Sequence, residues 1–388
     1  MPKKIRMGMI GGGPGAFIGE VHRRAARLDG QVEIVAGAFS IVPDESTQMG
    51  QLLGIDPKRA YKTYQDMIRG ESQLPPDQRV DFVSVCTPNN YHFSISRDFL
   101  EAGFHVVCEK PMTMTLEEAI SLRGVVQKTG KCFGLMHTYT GYPMVKLARD
   151  MAKQNDLGKI RKVVVEYPQG WLAKPIEREG QMQASWRTDP KQSGVAGCMG
   201  DIGTHAANLA EYVTGLKIKE LLGDLTTFVQ GRPLDDDGSV LLRLENGAKG
   251  VLHASQISVG EENDLAIWVY GEKASLEWQQ KNPNYLYFRP YNAPEQIWGR
   301  GNAYVGEKSK AAAKATRTPG GHPEGYIEAF ANHYANFVEQ IKAMKDGRHA
   351  EPVYMDLPNV EDGIRGMAFI ESVVKSSREG GVWVKIPV

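Results

Sequence analysis

Two segments of the chain carry side chains that could do acid–base chemistry on a hydroxyl group. Lys110 lies two residues after the end of an apolar run, residues 106–108. Asp201 and His205 are four residues apart, a spacing that places both on one face of a helix. Histidine suits a general base because its unperturbed pKa lies near neutrality. A lysine can polarise an oxygen and stabilise a developing alkoxide. Together they predict removal of a proton from an alcohol.

Each of these residues also has an ordinary structural explanation. Lys110 could be a solvated lysine before a helix that begins near Pro111. Asp201 could cap the N-terminus of a helix, with His205 packed or exposed. The pair could also be half of a metal site, but no further ligand pattern lies nearby, so we expect no metal.

A glycine-rich turn near the N-terminus predicts a dinucleotide cofactor. Gly11, Gly13 and Ala16 follow a predicted strand and open a predicted helix, which is the context of the dinucleotide fingerprint. Gly11 permits the turn, Gly13 lets the backbone approach the pyrophosphate, and Ala16 is small enough for close packing. The alternative is an ordinary glycine-rich turn. The expected cofactor contacts here are Gly11, Gly13, Pro14, Gly15, Ala16, Phe17 and Ile18.

The end of the second predicted strand bears on the choice between NAD and NADP. The fingerprint usually has an acidic residue there, which binds the adenosine ribose. In this chain Ser40 stands near that position, and it could bind a ribose hydroxyl or a phosphate. No Arg or Lys follows closely, and Asp44 would repel a 2′-phosphate. The sequence favours NAD, without excluding NADP.

The elements that position these residues alternate over the first third of the chain. Apolar and β-branched runs predict strands at 4–10, 32–38, 80–86, 104–108 and 132–137. Helical periodicity predicts helices at 21–28, 91–102 and 116–128. This order is typical of a Rossmann-type, doubly wound parallel sheet. Ligands bind at the carboxyl ends of such strands. That edge receives Thr87, Pro88, Asn89 and Lys110.

The pattern changes after residue 138. Strands are predicted at 159–167, 219–229, 239–244, 250–258, 265–270 and 274–278, and helices at 143–153, 203–214, 326–345 and 360–377. Asn246-Gly247 predicts a type I′ hairpin, and residues 309–314 read as a mobile connector. The fold class is therefore α/β: a Rossmann domain at 1–138, and an α+β domain at 139–388 with a mostly antiparallel, open-faced sheet.

Composition limits the function classes. The 388 residues are enough for two domains, and 41% are hydrophobic, as in globular proteins. The formal net charge of +0 does not favour nucleic acid or anionic membranes as partners. No signal peptide or membrane-length apolar run stands out, so we expect a cytoplasmic protein. The cysteines lack CxxC spacing, which argues against a disulfide framework; they are Cys86, Cys108, Cys132 and Cys198.

Taken together, these motifs resemble those of the Gfo/Idh/MocA oxidoreductases. The matching pieces are residues 11–19, Thr87-Pro88-Asn89 with His92, Glu109-Lys110-Pro111, and residues 201–205. The resemblance implies that Lys110 and His205 touch the reacting hydroxyl, supported by Asp201, and that the Lys110–Pro111 bond is cis. It also implies a homodimer or homotetramer built on the open sheet. The further cofactor contacts that it implies are Ser40, Thr87, Pro88, Asn89, His92, Glu109, Lys110, Trp186 and Arg187.

The loops of the second domain suggest the substrate class. Sugars are bound by hydrogen-bonding groups together with apolar ring faces, although tryptophans also serve as core residues. By composition and resemblance we expect a neutral cyclic polyol. The expected substrate contacts are Lys110, Tyr139, Gln169, Trp171, Arg187, Asp201, His205 and His322.

The leading hypothesis is reversible, NAD-dependent oxidation of a secondary ring hydroxyl of a sugar, glycoside, anhydrosugar or inositol to the ketone. One alternative is an epimerase or lyase that forms a keto-sugar as an intermediate and recycles its NAD. Another is a non-catalytic sensor of sugar or NAD, since a fold does not fix a function. The presence of Lys110, Asp201 and His205 argues against the sensor.

Overall fold

The computed structural model describes residues 3–388, which divide into two compact units. The first contains the described residues up to Thr138 together with Phe330–Gly363, and the second contains Tyr139–Ala329 and Ile364–Val388. The sequence-based division at 138 differs in one respect, because it assigned residues 330–363 to the second domain. That segment joins the first unit because Phe337 packs edge-on against Phe82, with ring centroids 5.3 Å apart, and Leu135 N donates to the Pro358 carbonyl.

The first unit is built on a parallel sheet of five strands in the order β2-β1-β3-β4-β5. The strands are β1 Ile5–Gly11, β2 Val32–Ala38, β3 Phe82–Cys86, β4 His105–Cys108 and β5 Phe133–Leu135. β3 and β4 are buried throughout, as expected of strands covered on both faces. The predicted doubly wound sheet is confirmed.

Five helices connect or follow these strands. They are α1 Phe17–Leu28, α2 Pro43–Leu52, α3 Tyr64–Gln73, α4 His92–Glu101 and α5 Leu116–Thr129. The sequence analysis missed α2 and α3. Both carry few buried side chains, so their hydrophobic periodicity is weak. Instead they are marked by their first residues: Pro43 begins α2, and the Thr63 hydroxyl accepts the Asp66 N–H ahead of α3.

The neighbouring strands β1 and β3 mark the switch point of the sheet. From β1 the chain passes to β2 on one side, and from β3 it passes to β4 on the other. Gly11 pairs with Cys86 at the carboxyl ends of these strands. The glycine turn and Thr87 therefore lie side by side, where open α/β sheets bind their ligands.

The second unit contains a nine-stranded sheet in the order β13-β12-β11-β10-β6-β9-β8-β7-β14. Its strands are β6 Lys162–Pro168, β7 Ile218–Thr226, β8 Asp237–Leu244, β9 Lys249–Ser255, β10 Ala266–Tyr270, β11 Ala274–Gln279, β12 Tyr285–Pro290, β13 Gln296–Gly299 and β14 Val384–Lys385. All neighbours pair antiparallel except β6 and β9, which pair in parallel. The prediction missed β12, β13 and β14.

Helices cover one face of this sheet. α9 contacts β6, β9 and β10, α6 contacts β11 and β12, and Val373 of α13 lies against Gly223 of β7. The helices are α6 Pro143–Lys153, α7 Met182–Arg187, α8 Pro190–Ser193, α9 Thr204–Thr214, α10 Ala303–Lys308, α11 Lys310–Lys314, α12 Tyr326–Lys345, which runs on into the first unit, and α13 Val360–Arg378. Buried and outward residues alternate along β8, which leaves its other face open, as predicted.

Two local predictions were wrong. Asn246-Gly247 does join β8 to β9 in a hairpin, but only Gly247 has a positive φ, of 87°. A type I′ turn needs both central residues in that region. Ser309 and the following residues are not a mobile connector, because α11 forms there. The Ser309 hydroxyl accepts the Ala312 N–H at 3.0 Å, and Ala312 is fully buried.

Over residues 3–388, every helix is too short or too polar to cross a lipid bilayer.

Candidate active site

The glycine turn has the backbone that a phosphate-binding loop requires. Gly11, Gly12 and Gly15 have φ of +78°, +72° and +75°, a region that favours glycine. A Cβ added at Gly13 would lie 2.8 Å from the Phe39 carbonyl oxygen, so only glycine fits there. The turn is therefore fixed by local geometry and cannot accept larger residues.

The close approach between helix and strand occurs at Gly19, a residue the sequence analysis did not assign. A Cβ there would lie 2.4 Å from the Gly12 Cα. Ala16, which was expected in that role, is instead the half-buried residue just before α1. An alanine side chain cannot cap a helix, so the first amide groups of α1 remain suited to an anion. The GGGPGAFIG sequence thus places its last glycine three residues later than we expected.

The Thr87 hydroxyl gives a further sign that this edge suits a polar cofactor. Its oxygen is buried, and within residues 3–388 it has no hydrogen-bond partner. A buried hydroxyl without a partner is costly, so such an atom is normally satisfied by water or a ligand. Together with the glycine cradle, Thr87 fits the dinucleotide that the fingerprint predicts.

Ser40 is paired with an acidic residue that the sequence analysis missed. The Ser40 hydroxyl donates to Glu45 Oε2 at 2.7 Å and accepts the Val42 N–H at 3.1 Å. Glu45 lies in the first turn of α2, a helix that was not predicted. The structure therefore supplies the carboxylate that appeared to be missing from the end of β2, through a helix instead of the strand.

His92 braces the ends of β3 and β4. One ring nitrogen lies 2.7 Å from the Pro111 carbonyl oxygen and the other 2.9 Å from the Thr87 carbonyl oxygen. Burial lowers the pKa of His92, although the two carbonyl contacts oppose that shift. Both nitrogens are occupied by main chain, so His92 shapes the loops around Pro88 and Asn89. The Lys110–Pro111 bond is cis, as the resemblance implied.

Lys110 is half-buried two residues after the end of β4, and its main-chain N–H donates to Glu109 Oε2 at 3.1 Å. The charge of Lys110 acts on His137. Burial, followed by the charges of Lys110 and His333, lowers the pKa of His137 to about 3. The His137 imidazole is therefore neutral at pH 7.

Asp201 lies in a π-helical turn, Met199–Gly203, that leads directly into α9. Such turns interrupt helices frequently at functional sites. The Asp235 carboxylate holds the turn by accepting the Gly197 and Met199 N–H groups, each at 2.7 Å. Asp201 is therefore inside a continuous helical segment, and the capping interpretation was wrong.

The Asp201 carboxylate is held by two side chains. Its Oδ2 accepts from Arg187 Nε at 3.2 Å and from Gln256 Nε2 at 2.9 Å. The Arg187 guanidinium also lies 4.2 Å from the centroid of the Trp186 ring and 5.8 Å from that of Trp171. This arrangement brings together predicted residues from three elements, and adds Gln256, which nothing in the sequence marked.

A ribbon of hydrogen bonds, here called the polar ribbon, lies beside His205. The hydroxyls of Tyr139 and Tyr167 are hydrogen-bonded, and Tyr167 Oη donates to Asn263 Oδ1 at 2.7 Å. Asn263 Oδ1 also accepts from Gln169 Nε2. The Tyr139 ring stands edge-on to His205, with centroids 4.9 Å apart. Burial raises the pKa of Tyr139 to about 12, so its hydroxyl stays protonated.

Trp171 extends the ribbon, because its indole N–H donates to Gln169 Oε1 at 2.9 Å. Asn263 connects the ribbon, yet it sits in an irregular loop and no pattern pointed to it. His322 does not join this group. It is exposed, and within the described residues its carbonyl oxygen accepts from Arg300 and Thr318. Among residues 3–388 there is no group of three or more His, Cys, Asp or Glu that could hold a metal ion.

Two family models match most of the chain. Residues 5–137 match the oxidoreductase family with an NAD-binding Rossmann fold, and residues 145–277 match the GFO/IDH/MocA C-terminal domain. The chain belongs to the Gfo/Idh/MocA oxidoreductase family. Its first unit is an NAD-binding Rossmann domain, and the protein is an oxidoreductase of the sugar and inositol dehydrogenase family.

Several members of the Gfo/Idh/MocA family are similar over their full length. An uncharacterised oxidoreductase of Bacillus subtilis is 35% identical, over 99% of this chain and 97% of its own. A crystal structure of an inositol dehydrogenase homologue from Azotobacter vinelandii, complexed with NADH and myo-inositol, is 36% identical. Its TM-score is 0.91, with 99% of this chain and 98% of that chain covered. Levoglucosan dehydrogenase of Pseudarthrobacter phenanthrenivorans is 24% identical over 99% of both chains.

Proposed function

We propose that this protein oxidises a secondary ring hydroxyl of a neutral sugar or cyclitol to the ketone, with NAD⁺ as the acceptor. The observation that carries the proposal is the polar ribbon beside His205. It presents phenol and amide groups together with the faces of aromatic rings, which is how proteins bind polyhydroxylated rings. One relative is a levoglucosan dehydrogenase and another has been crystallised with NADH and myo-inositol, and both levoglucosan and myo-inositol belong to this substrate class.

The side chains take distinct roles in this reaction. His205 accepts the hydroxyl proton, and Lys110 polarises the hydroxyl oxygen and stabilises the negative charge that develops on it. Asp201 stabilises the imidazolium that forms on His205. Bound NAD⁺ supplies the hydride acceptor. The residues proposed to hold it are those of the glycine turn, with Ser40 and the loop from Thr87 to Asn89.

A neutral substrate is favoured over a phosphorylated one by the charges in the second unit. The Arg187 guanidinium lies 5.8 Å from the centroid of the Trp171 ring, and it is already paired with Asp201. A phosphate group would compete for this pair and leave the carboxylate without its partner, which is costly for a half-buried group. Tyr139, Gln169 and Trp171 offer uncharged contacts instead. We assign no substrate contact to His322, because it lies outside this group.

NAD is favoured over NADP by the Ser40–Glu45 pair. A carboxylate at the end of β2 accepts hydrogen bonds from ribose hydroxyls, whereas it repels a 2′-phosphate. Glu45 is held by Ser40 at 2.7 Å, which fixes one of its oxygens. The charge of the acidic first turn of α2 acts in the same direction.

We also propose that the open face of the second unit's sheet joins copies of the chain into a homodimer or homotetramer. Cross-strand register places an apolar row on this face, and all its members are at least partly exposed. The row runs Leu222, Leu241, Val251, Val164, Trp268, and beyond Glu277 continues to Tyr287 and Ile297. Such a contiguous apolar surface is typical of an interface. Light scattering of the purified protein tests it, and a monomer would contradict it.

A spectrophotometric panel tests the function. NAD⁺ and NADP⁺ are each combined with inositols, hexoses, methyl glycosides and levoglucosan, and absorbance at the reduced-nicotinamide band is followed. We expect NADH to form with at least one neutral polyol. Conversion of a sugar without net NADH would instead favour the epimerase or lyase. NADH binding by fluorescence with no conversion anywhere in the panel would favour the sensor.

A further inference from the structure

A chain of buried polar groups leads to the main-chain N–H of Lys110, and the proposed reaction does not use these groups. His22 of α1 is fully buried; one ring nitrogen is 2.9 Å from Glu109 Oε1 and the other is 2.6 Å from Tyr334 Oη. Tyr334 Oη is also 3.0 Å from Ser84 Oγ. Glu109 closes the chain through its second oxygen, which accepts the Lys110 N–H at 3.1 Å. Four elements thus meet in what we call the His22 network.

Donors and acceptors face each other in the His22 network. An ionised Glu109 can only accept, so the facing nitrogen of His22 carries the proton. Burial opposes a charge on His22, yet the Cys86, Tyr334 and Glu109 groups raise its pKa well above the usual value. A protonated His22 neutralises the Glu109 carboxylate, which removes the large penalty of a lone buried charge.

Tyr334 comes from the part of α12 that returns to the first unit. Its ring is packed against His22 at 5.8 Å and against Phe82 at 6.1 Å, so its hydroxyl is fixed in place. Without the Tyr334 hydroxyl, the second nitrogen of His22 would lose its contact of 2.6 Å and keep Ser84 Oγ at the longer distance of 3.3 Å. The returning segment therefore completes a network whose other members lie in the Rossmann sheet and α1.

We propose that His22 and Tyr334 are positioning residues that hold the Glu109 carboxylate and, through it, the main chain at Lys110. The inference rests on the proposed role of Lys110 in polarising the substrate hydroxyl. His22 binds one oxygen of the Glu109 carboxylate and so fixes the carboxylate in place. The other oxygen can then accept the Lys110 N–H from a constant position. The side chain of Lys110 then extends from a fixed main-chain position. A small displacement of that main chain would impair the placement of the lysine against the substrate hydroxyl. None of these groups needs to touch substrate.

The first test needs no substrate. Amide hydrogen exchange is measured by mass spectrometry on peptides that include Lys110, in the wild type, Tyr334→Phe and Glu109→Gln. A glutamine offers one acceptor where Glu109 serves two donors, and phenylalanine keeps the ring of Tyr334. We expect exchange at Lys110 to rise about tenfold in both variants. Tyr61→Phe is the matched control, because it removes a tyrosine–carboxylate bond to Glu71 of 3.0 Å elsewhere in the unit.

The second test separates positioning from stability. With the polyol of highest turnover in the panel, beginning with myo-inositol, we expect kcat to fall about tenfold in Tyr334→Phe and Glu109→Gln. The NADH affinity of Tyr334→Phe, measured by fluorescence, should change less than about threefold. The thermal midpoint of Tyr334→Phe should match that of Tyr61→Phe, whereas Glu109→Gln also removes a buried ion pair with His22 and should melt lower. If exchange at Lys110 and kcat are the same in Tyr334→Phe as in Tyr61→Phe, the inference is overturned.

A third variant distinguishes a failure of the positioning role from a failure of the proposed function. Lys110→Met should abolish turnover without changing exchange protection elsewhere in the His22 network. If Lys110→Met stays active, the role of Lys110 is wrong, and the inference falls with it. If Lys110→Met is inactive but Glu109→Gln and Tyr334→Phe behave as wild type, the proposed function stands and only the positioning role is refuted.

Discussion

Replacing Asp201 by asparagine isolates the charge of one carboxylate. In the folded protein its Oδ2 accepts from Arg187 Nε at 3.2 Å and Gln256 Nε2 at 2.9 Å. Asparagine has the same shape, and its carbonyl oxygen in the place of Oδ2 can accept from both donors. The variant therefore removes a negative charge with little change in packing.

The magnitude follows from the position of Asp201, one helical turn before His205. Side chains at that spacing are about 6 Å apart. With an effective dielectric constant of about 20, a carboxylate stabilises an imidazolium at this distance by about 3 kcal/mol. Since Arg187 shares the same oxygen and offsets part of the charge, we take about 2 kcal/mol as lost from the transition state. That corresponds to a fall in kcat of roughly 30-fold.

The assay is steady-state turnover of Asp201→Asn under saturating NAD⁺, with NADH affinity measured by fluorescence. We expect the affinity for NADH to stay within about twofold, because the cofactor contacts of the glycine turn lie in the first unit. The matched control is Asp98→Asn. Asp98 likewise bridges an arginine and a neutral donor, Arg97 at 2.9 Å and Tyr64 at 3.0 Å, away from the proposed site.

Three results would refute this reasoning. If Asp201→Asn and Asp98→Asn lower kcat equally, the carboxylate at 201 has no particular role in the reaction. If Asp201→Asn loses turnover only in proportion to a loss of folded protein, seen by circular dichroism, its role is structural. A retained kcat in Asp201→Asn would mean that His205 needs no supporting charge.

Three other predictions test different parts of the protein. Lys110→Met should lower kcat by orders of magnitude in the same assay while NADH binding remains; turnover near that of the wild type would contradict the proposed role. Glu45→Gln should raise kcat/KM for NADP⁺ about tenfold, since one like charge near a 2′-phosphate costs about 1.4 kcal/mol; an unchanged NADP⁺ to NAD⁺ ratio would mean that Glu45 does not face the ribose. Stability should fall in acid because of His137. The unfolded chain takes up that proton near pH 6.5, whereas folded His137, with a pKa of about 3, does not. Protonation of His137 therefore stabilises the unfolded state by about 2 kcal/mol between pH 7 and pH 5, and lowers the free energy of unfolding by the same amount. Chemical denaturation of wild type and His137→Gln at the two pH values measures this, and the variant should lack that part of the decrease. An equal loss in wild type and variant would count against the low pKa.

Much of the fold could be predicted because its signals are local. The runs that became β1 to β5 have the largely apolar composition of buried strands, and Gly11 and Gly13 have no substitute in a tight turn. α2 and β12 were missed because their burial comes from neighbouring elements instead of from a regular pattern of their own. The parallel pairing of β6 with β9 was not visible either, because pairing direction depends on connections between distant strands.

The sequence by itself determined which residues are candidates for the chemistry and the order in which they occur. Lys110, Asp201 and His205 could be named because few residue types can perform acid–base work, and each stands beside a recognisable turn. What only the tertiary structure decided is which other side chains hold them. Gln256 reaches Asp201, and Tyr334 reaches His22 across 312 positions of sequence. Such partners leave no trace in spacing, because a hydrogen bond depends on distance in space and the chain between its ends can take any length.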